Sequence, residues 1–182
     1  ADLPPKRSGF ERVRDRHTLV CKRFGVGDVP DRVVGDDRSE AGADASHGPP
    51  VGGPEPPKPD ALAALHDDLR PLLAGTDSFP VAVTGIDVFD APSSGSRPVL
   101  YLAVESDPLV RLHRRLCAAY GAVERIEGDE YVPHVTVARG GNPEPGVVAD
   151  RLAAEFEPIR WRVHALDLYD PEYREVAATI DL

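Results

Sequence analysis

The sequence predicts an α+β protein, a sandwich in which antiparallel sheets carry helices on one side. Two observations favour this class. Strand-like segments bracket helical ones and come in pairs joined by turn-rich connections, as in hairpins. No glycine-rich phosphate loop follows a first strand, which argues against a doubly wound parallel sheet.

Length and charge restrict the function classes. The 182 residues fit one domain or two small lobes that share a core. Asp and Glu number 31 against 21 Lys and Arg, giving a net charge of −10, and nearly all of the basic residues are arginine. This composition is typical of a protein adapted to a cytoplasm of high salt, although an acidic protein of ordinary origin would share it. The net charge of −10 argues against a partner that is held mainly by neutralisation of its phosphates.

The remaining composition indicates a cytoplasmic protein. The first residues are polar and no run of 18 apolar residues occurs, so we expect neither a signal peptide nor a membrane partner. Cys21 and Cys117 lie in no C-x-x-C pattern, which suits reduced thiols. No H-E-x-x-H or Cys/His ligand spacing is present, so we predict no metal site.

The first strand-like run extends from His17 to Phe24 and is followed by an insertion. In a regular strand His17 shares a face with Leu19, while Thr18 points to the other face. Residues 27–59 contain 20 Pro, Gly, Asp or Glu among 33 positions and no aromatic residue. Such a segment cannot bury enough surface to offset the entropy of ordering it, so we predict a disordered insertion, with a lid over a site as the alternative.

The middle of the chain predicts a helix, a hairpin and a second helix. Asp60 is the expected N-cap of a helix with a leucine stripe that ends at Gly75, and Pro71 should distort its last turn. Strands follow at 81–89 and 99–105. Asp107 and Pro108 predict the start of the next helix, which ends at Gly121 and places His113 on its solvated side.

The C-terminal third predicts the strand of central interest, a helix and a closing hairpin. In Tyr-Val-Pro-His-Val-Thr-Val-Ala-Arg, residues 131–139, alternation directs His134, Thr136 and Ala138 to one face. A helix is expected over 145–156, and two strands over 159–169 and 172–180 around a turn at Asp170 and Pro171.

His134 and Thr136 are the main candidate site. Imidazole exchanges a proton near neutral pH, and a neighbouring hydroxyl can donate to a phosphate oxygen. His17 and Thr18 are a second histidine and hydroxyl, 117 positions earlier, or 84 once the 33-residue insertion is set aside. The alternative is that these are ordinary polar residues on half-buried strands.

These two histidine motifs resemble the two-histidine (2H) phosphoesterase superfamily, in particular its 2′-5′ RNA ligase-like branch in salt-loving archaea. Pro-His-Val-Thr-Val-Ala-Arg matches the family's H-x-T strand and the arginine after it, here Arg139. The first motif departs from the pattern, because the family's hydroxyl belongs at Leu19 and this chain offers Thr18 instead. Only 16 residues precede His17, so we expect a shortened first lobe.

The resemblance implies a single bilobed domain over 1–182, with two pseudo-symmetric antiparallel sheets, outer helices and one motif on each side of a cleft. It implies a phosphoesterase for 2′,3′-cyclic phosphate or 2′-5′ linkages that needs no cofactor and no metal. RNA ends or cyclic nucleotides are the expected substrates, and no stable protein partner is expected.

The resemblance also assigns roles to single residues. The expected catalytic residues are His17, His134, Thr136 and Thr18, and the expected substrate-binding residues are Arg139, Tyr131 and Lys22. A bulge at Thr18 could restore the missing hydroxyl. The alternative function is a nucleotide- or RNA-end-binding module of the same fold that does not turn its ligand over.

Overall fold

The computed structural model describes residues 9–25, 58–92 and 95–182, apart from the side chains of Lys58 and Pro59. It is an α+β fold with two antiparallel sheets, as the sequence predicts. The seven strands are β1 (Phe10–Val13), β2 (Phe79–Phe89), β3 (Val99–Glu105), β4 (His134–Gly141), β5 (Ile159–Val163), β6 (Ala165–Asp170) and β7 (Glu175–Asp181). The helices are α1 (Lys58–Leu73), α2 (Asp107–Tyr120) and α3 (Pro145–Leu152), with a 3₁₀ turn at Gly128–Glu130.

The described chain divides into two compact units. One contains residues 9–23 and 77–164, with the five-stranded sheet in the order β1-β4-β3-β2-β5 and helices α2 and α3. The other contains residues 24–25, 58–76 and 165–182, with α1 and the two-stranded sheet β6-β7. The predicted insertion lies outside the described residues, except that its last two positions begin α1.

One face of the five-stranded sheet is apolar and supports α3. Phe10, Leu100 and Ala138 come from β1, β3 and β4 and are buried together, with Val148 of α3 packed against them. Helix α2 buries the stripe that its leucine spacing predicts, namely Leu109, Leu112 and Leu116. Burying these side chains drives the sheet and helices together, at about 1.5–3 kcal/mol for each large aliphatic residue.

Several boundaries differ from the sequence prediction for local reasons. Ser106, rather than Asp107, caps α2, because its hydroxyl accepts a hydrogen bond from the Leu109 N–H at 3.3 Å. The single strand expected over 159–169 is two strands in different sheets, since β5 pairs with β2 and β6 pairs with β7. The hairpin turn at Asp170 is confirmed, and the buried carboxylate of Asp170 accepts the Glu172 N–H at 2.8 Å.

The run from His17 to Phe24 was expected to be a strand, and this expectation is wrong. The strand lies earlier, at β1, and the later run has one isolated bridge, between Leu19 and Val135. The physical reason is that side chains from other segments, instead of a neighbouring strand, form hydrogen bonds with the backbone of this run. The carbonyls of Val20 and Cys21 accept hydrogen bonds from Tyr131 and His113, and the Arg23 N–H donates to Glu127.

Candidate functional site

The register of β4 brings three candidate residues to one face. Tyr101 of β3 lies opposite Thr136, but the next pair is Leu100 with Ala138, so Val137 is an extra residue in β4. Such a bulge reverses the alternation beyond it. Arg139 therefore shares the face of His134 and Thr136, whereas Ala138 joins the apolar face. Strict alternation predicted Ala138 beside Thr136, and the bulge corrects that prediction.

The ring of His134 is oriented by the backbone and by two aromatic rings. Its Nδ1 lies 2.7 Å from the carbonyl oxygen of Val132. A carbonyl can only accept, so Nδ1 carries the hydrogen and Nε2 keeps its lone pair in the neutral ring. Phe89 and Tyr101 meet the ring edge to face, with centroids 5.2 Å and 5.4 Å away. This arrangement suits a general base acting through Nε2.

The surroundings of His134 favour its neutral form. Burial lowers the pKa of His134, the hydrogen bond to Val132 opposes this shift, and the positive charges of Arg23 and Arg139 lower the pKa further. The pKa of the neighbouring Tyr101 is raised to about 12. The main cause is burial, and the negative charge of Asp87 and its hydrogen bond with the Tyr101 hydroxyl add to it.

Sequence reasoning missed the aromatic residues of this face. Tyr101 lies opposite Asp87 on one side and Thr136 on the other, and its ring stacks on Phe89 at 4.1 Å between centroids. The predicted hairpin of β2 and β3 could have indicated them, because its register determines which residues lie opposite Tyr101.

The first motif lies beside the second through the Leu19–Val135 bridge. Val13 pairs with Ala138 and Leu19 pairs with Val135, so five residues of the first segment, 14–18, lie opposite only two residues of β4, 136 and 137. The longer segment cannot stay paired with β4 over this distance, and His17 and Thr18 are exposed. Paired Cα atoms are at most about 5.5 Å apart and each chain step is about 3.8 Å. The Cα of His17 therefore lies within roughly 13 Å of the Cα of Val135.

Lys22, expected to bind substrate, lies instead in a buried ion pair. Its Nζ is 2.8 Å from Glu127 Oε2, and the two side chains are only 2% and 1% exposed. Burial alone would raise the pKa of Glu127, but hydrogen bonds from Lys22 and from the N–H groups of Val123 and Arg23 outweigh it and lower the pKa. The pair fixes the chain that follows the first motif.

Tyr131, also expected to bind substrate, supports the same segment. Its hydroxyl donates to the Val20 carbonyl at 2.7 Å, and its ring stacks on His113 at 3.8 Å between centroids. The prediction that His113 is solvated is wrong, since it is fully buried. Its Nε2 accepts the Gly128 N–H at 2.9 Å and its Nδ1 donates to the Cys21 carbonyl at 2.7 Å, so both nitrogens are engaged.

Three further observations concern the described ranges 9–25, 58–92 and 95–182. Within these ranges, no three His, Cys, Asp or Glu side chains are grouped so that they could hold a metal ion. No helix described in the structure is long and apolar enough to span a membrane. A shallow depression lined by Thr84, Ile86 and Phe156 contains no histidine.

Comparison with known proteins gives the family. The sequence profile of the 2′-5′ RNA ligase superfamily, the 2H phosphoesterases, matches residues 51–174, which include His134, Thr136 and Arg139 but not His17. No curated protein sequence matches the chain. Among solved structures, the protein TT0787 of Thermus thermophilus is similar, with 23% identity over 70% of this chain and 73% of that chain and a TM-score of 0.41. The profile match covers more than half of the protein, and the chain belongs to the 2′-5′ RNA ligase superfamily.

Proposed function

We propose that this protein is a phosphoesterase that acts on 2′,3′-cyclic phosphate or 2′-5′ phosphodiester linkages of RNA ends or nucleotides, with histidines as acid and base and without a metal ion. Membership in the 2′-5′ RNA ligase superfamily supports a phosphoesterase or ligase activity in general. The observation that carries the finer proposal is the shared face of His134, Thr136 and Arg139, created by the bulge in β4.

The chemistry divides between these residues. In hydrolysis, the oxygen of water forms a new bond to phosphorus while the bond from phosphorus to a ribose oxygen breaks. One histidine takes the proton of the water, and the other gives a proton to the departing oxygen. His134 is suited to start as the base, since its Nε2 lone pair is available and its pKa is lowered. His17 supplies the second imidazole.

The phosphate oxygens need donors as charge shifts among them in the transition state. Thr136 offers a hydroxyl and Arg139 a guanidinium on the face of His134. Thr18 is the proposed counterpart from the first motif, and it lies beside His17 in the exposed stretch that precedes the Leu19–Val135 bridge. Lys22 and Tyr131 are left out, because their polar atoms are engaged inside the protein.

Turnover of 2′,3′-cyclic nucleotides and 2′-5′ linked dinucleotides in molar salt tests the proposal. We expect His134→Ala to lower kcat/KM by about 10²–10⁴-fold, the usual contribution of a general acid or base. His66→Ala is the matched control, since His66 lies on α1 and its ring contacts only the neighbouring Asp67 among the described hydrogen bonds. Full activity of the His134→Ala protein would remove the assignment.

A binding module is the second candidate. It is favoured by one observation, that His17 and Thr18 lie in an exposed stretch outside any strand. The same assay separates the two functions. Tight binding of a cyclic nucleotide by the unmodified protein, with no product formed over hours at saturating concentration, would identify a binder.

A further inference from the structure

The connection from β2 to β3 is held against the end of β4. The N–H of Gly140 donates to the carbonyl oxygen of Pro98, the last residue before β3, at 2.9 Å. The side chain of Ser96 lies against Gly140, because a Cβ at Gly140 would be 2.8 Å from the Ser96 hydroxyl oxygen. These contacts fix residues 95–98 beside the part of β4 that carries Arg139.

The guanidinium of Arg139 lies against the backbone of Gly95 in this connection. A Cβ at Gly95 would clash with Nη1 of Arg139 and would lie 3.6 Å from its Cζ. The tip of Arg139 therefore fills the space that a side chain at residue 95 would need. Gly95 also has a φ of +77°, a conformation that residues with a Cβ rarely adopt. Two independent features of this position thus favour glycine.

The placement of the guanidinium matters because arginine binds phosphate through directed contacts. Its N–H groups form a planar fork that pairs with two oxygens of one phosphate, so a displaced fork loses hydrogen bonds. The end of an arginine side chain moves more easily than a backbone that is held by a hydrogen bond, such as that of Pro98. A methyl group at residue 95 would therefore shift the guanidinium of Arg139 and leave the connection in place.

We infer that Gly95 is a positioning residue for Arg139. Because it has no side chain, it sets where the guanidinium lies and so how Arg139, on the face of His134 and Thr136, meets a phosphate oxygen. This inference rests on the proposed function for the phosphate, but not for the contact between Gly95 and Arg139. It gives the β2–β3 connection, which lies outside both histidine motifs, a role in binding the substrate.

The position of the guanidinium can be tested without a ligand. The Nε–Hε resonance of Arg139 is followed by NMR and is identified by its loss in Arg139→Gln. We expect this resonance to move by more than its line width in Gly95→Ala and to stay in place in Gly75→Ala. Gly75 is the matched control, because it has a φ of +76° and no atom within 4 Å of an added Cβ.

A double-mutant cycle tests the consequence for phosphate binding. The probe is adenosine 2′-phosphate, an unreactive product analogue, and its dissociation constant is measured by calorimetry at one ionic strength. We expect Arg139→Gln to weaken binding at least about tenfold, since a hydrogen bond between charged groups is lost, and Gly95→Ala to weaken it at least about threefold. In the Arg139→Gln protein, Gly95→Ala should change the affinity by less than about twofold, because both substitutions act on one contact.

Two results would overturn the inference. One is an Arg139 resonance that does not move in Gly95→Ala or in Gly95→Asn. The asparagine variant carries the same Cβ with less backbone strain, since asparagine adopts a positive φ more readily than alanine, so it serves if the alanine variant does not fold. The other is a loss of affinity from Gly95→Ala that is as large in the Arg139→Gln protein as in the unmodified protein.

Failure of the proposed function is a separate outcome. An unmodified protein that neither binds adenosine 2′-phosphate nor turns over a cyclic phosphate would contradict the proposed function. The Arg139 resonance would still decide whether Gly95 positions the guanidinium, because that measurement uses no ligand.

Discussion

The Nδ1 atom of His134 lies 2.7 Å from the carbonyl oxygen of Val132, two residues earlier in the chain. This local hydrogen bond fixes the hydrogen on Nδ1 and leaves Nε2 as the proton acceptor of the neutral ring. The tautomer that the proposed base catalysis requires is therefore set by the backbone that enters β4.

The titration of His134 should reflect its neighbours. Because burial and the charges of Arg23 and Arg139 lower its pKa, we expect its midpoint below the ordinary value of about 6.5. Removing one positive charge stabilises the imidazolium, so Arg23→Gln should raise the midpoint. The ring resonances followed by NMR across pH give the value, with His134→Ala to assign them. An unchanged or lower midpoint in Arg23→Gln would contradict an effect of the Arg23 charge on His134.

The same shift has a consequence for activity. A base with a lowered pKa stays deprotonated at lower pH, so the acidic limb of kcat/KM should also lie below about pH 6.5 and should move upward in Arg23→Gln. If the acidic limb of kcat/KM is unchanged in Arg23→Gln while the NMR midpoint of His134 moves, a group other than His134 is the base.

The buried ion pair makes Glu127 a strong determinant of stability. Glu127→Gln leaves the Lys22 ammonium buried without its counter-charge, and breaking a buried pair in this way costs about 3–5 kcal/mol. Urea unfolding measures the loss. Glu124→Gln is the matched control, because the Glu124 side chain is 87% exposed and its contact with Arg125 is a surface pair. Equal midpoints for the two variants would contradict the prediction.

The pH dependence of this stabilisation has a defined sign. The pKa of Glu127 is lower in the folded protein than its ordinary value of 4.5. The ion pair therefore contributes its full stabilisation above that ordinary value and loses it as the pH falls through the lowered one. The difference in unfolding free energy between the unmodified protein and Glu127→Gln should shrink in this acidic range.

His113 should matter for stability although it lies outside the motifs. His113→Phe keeps a ring beside Tyr131 but leaves the Cys21 carbonyl and the Gly128 N–H without their partner. Each of these two unsatisfied groups costs about 1–3 kcal/mol, so we expect a loss of about 2–6 kcal/mol in unfolding free energy. His66→Phe makes the same change at a partly exposed position of α1 and should cost much less.

The sequence identified the candidate residues of β4 but not their geometry. Alternation put His134 and Thr136 on one face and the family resemblance added Arg139, yet the bulge that aligns the three carries no glycine or other local signal. It depends on the pairing of β4 with β3, which the residues of β4 do not encode alone.

The first motif was misjudged because its partners are distant in the chain. The run from His17 to Phe24 has strand-like residues, but side chains from residues 113, 127 and 131 satisfy its backbone. The inward position of His113 had a signal, since it lies four residues after Leu109 and three before Leu116, within the apolar stripe. Its polarity alone suggested exposure.

The end of β4 offers a final test of the architecture that holds Arg139. Gly141 has a φ of +84°, and a Cβ there would lie 2.8 Å from the backbone nitrogen of Glu11 on the paired strand β1 and would also clash with the carbonyl of Gly9, just before β1. Gly75 after α1 has a similar φ of +76° but no atom within 4 Å of such a Cβ. Gly75→Ala should therefore cost only the backbone strain, about 1–2 kcal/mol, whereas Gly141→Ala should cost clearly more because β1 and β4 must separate. Urea unfolding of both variants measures the difference. Similar losses for the two would contradict the close approach of β1 to β4.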